Sequence, residues 1–236
     1  MAKLFLLIWT TVSSVFTVLP AQAPTVDVTP AVAGVSVESP AAAYEKKLDV
    51  ALPITVTAFN PWYKAFGTWV DDGRFFGYHA GDDIEMNIED LKARRIADVP
   101  VYAMADGTVQ YVGWVKGYGG VVILKHEIDG KIISSLYGHV DDTTKLVKKD
   151  DVVKKGQQIA VLGEGLTEET DGRRMHLHFS IWEGDELKFP GYVKTAEELS
   201  GWLDPYIFLH AHGLLTTPAF SAHVRQEGEI NPEHKH

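Results

Sequence analysis

No cysteine occurs in the 236 residues of this chain. Disulfides, thiol catalysis, cysteine-type zinc sites and a lipid-bearing N-terminal cysteine are excluded together. Any transition metal must therefore rest on His, Asp or Glu. Positive charge is scarce as well: 22 Lys and Arg stand against 32 Asp and Glu, a formal net charge of −10. No Lys/Arg run offsets the repulsion of a phosphate backbone, which argues against nucleic acid as a partner. Beyond the N-terminus there is no long apolar run, so no membrane span is expected in the mature chain. Several catalytic motifs are missing too. There is no Gly-x-Ser-x-Gly, and Gly117, Gly119 and Gly120 are not followed by Gly-Lys-Ser/Thr. His126-Glu127 runs into Ile128-Asp129-Gly130, which suits a hairpin arm rather than a helical His-Glu-x-x-His.

What is present fits a soluble globular protein, with 45% hydrophobic and 23% charged residues. The N-terminus has the layout of an export signal: Lys3, a mostly apolar Leu4 to Leu19, then Pro20-Ala21-Gln22-Ala23 as an Ala-x-Ala-like cleavage site. Residues 1–23 are read as this signal, so the mature protein is expected in the periplasm, in the cell envelope or outside the cell. Residues 24–50, rich in Pro, Ala and Thr, are read as a linker. The linker is a tether or a self-inhibiting segment; Asp27, Glu38 or Glu45 would be the residue to reach a metal. A folded domain is expected over 51–212, followed by a polar tail over 213–236 that carries His223, His234 and His236.

Within the domain the pattern is mainly β. Short apolar runs at Val99 to Met104, Thr108 to Val115, Gln157 to Leu162 and Leu177 to Trp182 are bounded by turn residues. Val121 to His126 and Lys131 to His139 flank Asp129-Gly130, a hairpin signal. Helices are expected only over Asn87 to Arg95, with Asn87 as cap, and in short pieces at Thr195 to Ser200 and Asp204 to Leu209. Many short strands with few helices indicate antiparallel sheets in a sandwich or barrel-like core.

Three segments carry the chemistry: His79-Ala80-Gly81-Asp82-Asp83, Tyr137-Gly138-His139 and His176-Leu177-His178. Side chains two apart on a strand share a face, so His176 and His178 point one way while Leu177 and Phe179 point into the core. Gly81 argues against a helix between His79 and Asp83, and of the two aspartates Asp83 has the even spacing. Alone, that segment reads equally as a polar loop, and His139 as an ordinary strand-end histidine. Together, the four histidines and a carboxylate are what a catalytic zinc site needs: about three ligands, one open position and a base that is not a ligand.

The order His-x-Gly-x-Asp, Leu-Tyr-Gly-His and His-Leu-His-Phe resembles the lysostaphin/LytM-type zinc metallopeptidases, which cut peptidoglycan peptides. The resemblance runs from about Asn60 to Leu209 and takes in Pro100-Val101-Tyr102-Ala103, Asp106-Gly107-Thr108-Val109 and Val153-Lys154-Lys155-Gly156-Gln157. It implies a groove of antiparallel sheets (the duplicated hybrid motif) and one zinc ion held by His79, Asp83 and His178. His139 and His176 would line the open side, orient or deprotonate the water, and stabilise the tetrahedral intermediate. The implied protein is an exported monomeric endopeptidase acting on peptidoglycan cross-links or stem peptides. The alternative is a non-enzymatic regulator of wall hydrolases or a wall-binding module, since some relatives of this family have lost ligands and activate amidases; here every motif position is filled. Two departures stand out. Asp171-Gly172-Arg173-Arg174-Met175 replaces a Ser/Thr-Gly-Pro-like approach, and Ser180 stands where the family often carries an acid. Glu164 to Met175 is expected to wall the groove, with Arg173 and Arg174 either solvated or set to bind a stem-peptide carboxylate.

Overall fold

The computed structural model describes residues 49–54, 59–144 and 146–215. The proposed signal, most of the linker and most of the tail, including His223, His234 and His236, lie outside them. Among the described residues no helix is long and apolar enough to cross a membrane.

The elements in chain order are β1 (Phe59–Lys64), β2 (Trp69–Asp71), β3 (Phe76–His79), β4 (Asp82–Met86), α1 (Ile88–Arg94), β5 (Pro100–Tyr102), β6 (Gly107–Val115), β7 (Gly119–Ile128), β8 (Lys131–Val140), β9 (Val152–Val153), β10 (Gln158–Val161), β11 (His176–Glu183), β12 (Tyr192–Val193), a 3-10 turn (Glu197–Leu199), β13 (Trp202–Leu203) and α2 (Pro205–Ala211). The main sheet runs β1-β4-β11-β8-β7-β6-β9, with β13 beside β11. Two smaller sheets, β10-β5 and β12-β3-β2, lie off it. Every named pairing is antiparallel. The expected mainly β architecture with few helices is therefore observed.

The strands in the middle of the main sheet are buried on both faces, which is why they read as continuous apolar runs rather than as alternation. Val122, Leu124, Tyr137, Leu177, Phe179 and Ile181 join one core with Val101, Ala103, Met104, Ile159 and Leu209. Val121, Ile123, Leu136 and Trp182 join a second cluster with Ala80, Tyr118 and Trp202. Burial of this apolar surface, at about 25 cal/mol per Å², is what holds the sheet between its two coverings.

Local signals explain the rest. The Asp129-Gly130 hairpin forms with both residues at positive φ, 51° and 74°. Asn87 Oδ1 accepts from Glu89 N (3.1 Å) at the start of α1. Asp204 caps α2 by accepting from Ile207 N (3.2 Å), with Pro205 in the first turn. The expected helix at Thr195 to Ser200 shortens to the 3-10 turn. The largest difference from expectation is at Trp69 to Met86, where three strands replace an undefined stretch. Their sequence is polar and aromatic because this part builds the site instead of the main core.

Candidate metal centre

His79 and Asp83 do not sit on one strand. His79 ends β3, in the small sheet, and Asp83 lies in β4, in the main sheet. The chain crosses between sheets at Ala80-Gly81. A Cβ at Gly81 would lie 2.4 Å from Ser180 Oγ and 2.8 Å from His178 Nε2, so only glycine allows this close passage. Asp83 is the aspartate that faces His79, as its spacing suggested. Asp82 turns away, and its carboxylate accepts from Phe66 N (2.6 Å) and Tyr206 N (3.1 Å).

On β11, Leu177 and Phe179 enter the core while His176 and His178 face the site, as alternation requires. His178 pairs with Asp83 across to β4 and with Gly138 across to β8. Three buried atoms converge here. His178 Nδ1 lies 3.0 Å from Asp83 Oδ1, His79 Nε2 lies 3.2 Å from the same oxygen, and the two ring nitrogens are 3.1 Å apart. For metal bonds of about 2.0–2.1 Å, a tetrahedral centre has ligand-to-ligand edges of about 3.3 Å. Two imidazole nitrogens and one carboxylate oxygen at these separations fit a metal of zinc type.

Electrostatics agree with a donor set ready to bind a cation. Burial by itself would raise the Asp83 carboxyl, but the charge of His79 and the hydrogen bonds from His178 and His79 outweigh it and hold the group well below the usual range. Burial pushes His178 down to about 4, against the pull of Asp83. Lys64 Nζ stands 3.7 Å from Asp83 Oδ2 and donates to Tyr192 Oη at 2.7 Å.

His139 reaches the site by a different route. Alternation along β8 would place it on the face of Tyr137, whose hydroxyl is buried and accepts from Met104 N (2.9 Å). The β7–β8 register shifts there: Gly120 pairs with Val140, and Val121 with Gly138. His139 is the extra residue of this bulge, with φ of 63°. The left-handed turn swings its ring to the side of His178. Its amide donates to Tyr118 O (2.9 Å), and its carbonyl accepts from Gly163 N (2.8 Å).

His139 and His176 lie together, ring centroids 4.3 Å apart, and both line one cavity of about 700 Å³ with Asp83 and His178. His176 Nε2 is 3.9 Å from Asp83 Oδ1. Each ring donates its Nδ1–H to a backbone carbonyl, His139 to Glu169 (2.9 Å) and His176 to Arg174 (2.6 Å). When the rings are neutral this leaves the lone pairs on Nε2. Burial, helped by the neighbouring His176 charge, pushes His139 down to about 3, so it is neutral near pH 7.

A match to the model for peptidase family M23 covers residues 78–190. Lipoprotein NlpD of Yersinia enterocolitica is 37% identical over 83 residues, covering 35% of this chain and 75% of the relative. The chain belongs to peptidase family M23. The murein hydrolase activator NlpD of Salmonella dublin is 37% identical over 117 residues, covering 48% of this chain. The chain thus spans 27% of the length of that relative. A solved zinc-containing peptidase from Vibrio cholerae is 26% identical, covers 55% of this chain and 35% of that one, and aligns with a TM-score of 0.42.

All five candidate residues, His79, Asp83, His139, His176 and His178, fall inside the matched span. Glu164 to Met175 does wall the cavity, but its arginines are not free. Arg173 Nη2 donates to Asp72 Oδ2 (2.9 Å), and Arg174 Nε pairs with Glu85 Oε1 (2.6 Å). Arg74 pairs in return with the Asp171 carboxylate and carbonyl, and Arg173 stands over the Phe75 ring at 5.1 Å. Reciprocal Arg–Asp pairs thus join the β2–β3 turn to the wall. Sequence reasoning missed Tyr118, Lys64 and Tyr192, and noted Ser180 as a departure from the family without placing it beside His178. Two of these had a signal: Tyr118 is a large ring amid Gly117, Gly119 and Gly120, and Ser180 continues the alternation that places His176 and His178.

Proposed function

We propose that this M23 domain is an exported zinc-dependent endopeptidase that hydrolyses peptide bonds of peptidoglycan, in cross-links or stem peptides. The observation that supports it best is the buried triangle His79 Nε2, Asp83 Oδ1 and His178 Nδ1, with edges of 3.0 to 3.2 Å, opening on a cavity lined by two further histidines. These three residues would hold one zinc ion. When bound, zinc would supply a Lewis acid that lowers the pKa of a water toward about 7 and polarises a carbonyl. His139 and His176 do the rest: each gives its Nδ1–H to a backbone carbonyl, so Nε2 is the atom that accepts a proton and returns it to the leaving amine. Their carbonyl partners, Glu169 O and Arg174 O, hold each ring in the tautomer this requires. The export signal over 1–23 and the tether over 24–50 would deliver a monomer to the wall.

A second reading has its own support. The Salmonella relative carries the name of a murein hydrolase activator, so a regulator of wall hydrolases that cuts nothing itself is the competing function. One experiment separates the two. Purified peptidoglycan is incubated with the protein, with and without chelator, and the muropeptides are analysed by mass spectrometry. New peptide termini that vanish with chelator and return with zinc are expected. Intact muropeptides from a folded, zinc-loaded sample, together with stimulation of an added amidase, would replace the peptidase reading with the regulator.

A further inference from the structure

The far side of the His178 ring carries a feature that the metal set alone does not require. His178 Nε2 lies 2.8 Å from Ser180 Oγ and 3.2 Å from Tyr118 Oη, and all three side chains are buried. We propose that Ser180 and Tyr118 are positioning residues of the metal centre: a pair of hydroxyls that supports either tautomer of His178 and so lets the ring switch as metal enters and leaves. This inference rests on the proposed zinc site and adds a property to it.

The argument is one of proton inventory. Without metal, His178 Nδ1 faces the Asp83 carboxylate at 3.0 Å, so the proton sits on Nδ1 and the Nε2 lone pair needs a donor. With metal on Nδ1 the proton must move to Nε2, which then needs an acceptor. A carboxylate behind the ring accepts only. A hydroxyl does both, at one heavy-atom position. The same buried geometry therefore satisfies the ring in both states, and neither state strands an unpaired buried nitrogen.

The packing shows that these hydroxyls are seated in prepared places. Three glycines from three separate segments make room for them. A Cβ at Gly81 would come within 2.4 Å of Ser180 Oγ, one at Gly138 within 2.5 Å of the Tyr118 ring, and one at Gly191 within 2.6 Å of Tyr118 Oη. Tyr118 also packs its ring edge-on to His178, centroids 5.0 Å apart. Its carbonyl accepts the His139 amide at 2.9 Å, so one residue ties the metal ligand to the bulge that carries the candidate base.

The test measures zinc affinity of the full chain by competition with a chromogenic chelator, for the wild type, Ser180→Ala, Tyr118→Phe and the double variant. Outer partners of metal-bound histidines are worth about 10- to 100-fold in affinity. The double variant is expected to lose that much, and each single variant less, because one hydroxyl covers for the other. Nitrogen-15 NMR of the imidazoles then reads the tautomer directly: Nδ1–H for His178 in the metal-free chain, Nε2–H in the zinc-loaded one. Tyr118→Phe removes only an oxygen, so it decides the matter if the double variant fails to fold. Wild-type affinity in all folded variants, or one tautomer in both states, overturns this inference and leaves the metal centre standing. A wild-type chain that takes up no zinc overturns both.

Discussion

β11 and β8 lie side by side, and each delivers a histidine to the open side of the centre, by opposite routes. On β11 the regular pleat does the work: His176 and His178 face the site because Leu177 and Phe179 face the core. On β8 the pleat would send His139 into the core with Tyr137, and a one-residue bulge with φ of 63° sends it the other way. The first arrangement follows from burial and costs no strain. The second places a non-glycine residue in the left-handed region, where about 1–3 kcal/mol is stored and must be offset by surrounding contacts. The His139 amide and carbonyl bonds to Tyr118 and Gly163 provide those contacts.

The largest effect is expected where both routes depend on a common partner. Replacing His178 by Ala should take zinc from about one ion per chain to near none and abolish turnover, read by metal analysis and muropeptide release. Retained zinc and activity would remove His178 from the centre. Next come the two delivered histidines. His176→Ala and His139→Ala should each keep the zinc and lose roughly 10²–10⁴ in rate, the range for a general acid–base group. Equal turnover in either variant would show that its ring is not in the chemistry.

A third effect concerns a histidine away from the centre. His126 is buried, donates from Nδ1 to Asp106 O (3.0 Å) and accepts at Nε2 from Ser135 Oγ (2.8 Å); burial pushes it down to about 4. The unfolded chain binds its proton near pH 6.5, so the folded state loses stability as pH falls from there toward 4. About 3 kcal/mol is at stake at about 1.4 kcal/mol per unit. Urea midpoints at pH 7 and pH 5 should separate, and His126→Gln should shrink the gap; an unchanged gap would place the acid sensitivity elsewhere.

Smaller again is the test of the bulge itself. His139→Val, β-branched in the left-handed region, should destabilise the metal-free chain by about 1–3 kcal/mol, whereas His139→Gly should not. His176→Val, on a regular strand, should cost little. Equal costs at the two positions would erase the distinction between the strands. The smallest effect is expected at the Asp72–Arg173 pair, which is partly exposed. Arg173→Ala should change stability by less than about 1 kcal/mol, with the salt dependence of the melting temperature as the check.

The legibility of this chain divides along the same line. The strands from Gly119 to Val140 and from His176 to Glu183 are visible as apolar runs because both their faces are largely buried, and Asp129-Gly130 marks the hairpin between the first two. β2, β3 and β4 are not visible in that way. β3 and β4 take their strand character from pairing with distant segments, Tyr192–Val193 and His176–Phe179, and β2 takes its own from pairing with β3, not from a local period. Asp83 was singled out by its spacing from His79, yet the two meet because separate sheets approach at Gly81. Arg173 and Arg174 could be read as cations waiting for a ligand until Asp72 and Glu85 were seen beside them.

The sequence by itself determined the inventory: no thiols, four histidines and an aspartate in three ordered segments, the alternation that turns His176 and His178 to one face, and a mainly β domain to carry them. These are properties of residue type and of neighbours within a few positions, and local physics suffices for them. Only the tertiary structure decided how close the donors come, which side His139 faces, and that Ser180 and Tyr118 stand behind His178. The donors and the hydroxyls behind His178 depend on the register between strands far apart in the chain, and the side His139 faces depends on a one-residue slip at the open end of the β7–β8 hairpin; no local period encodes either.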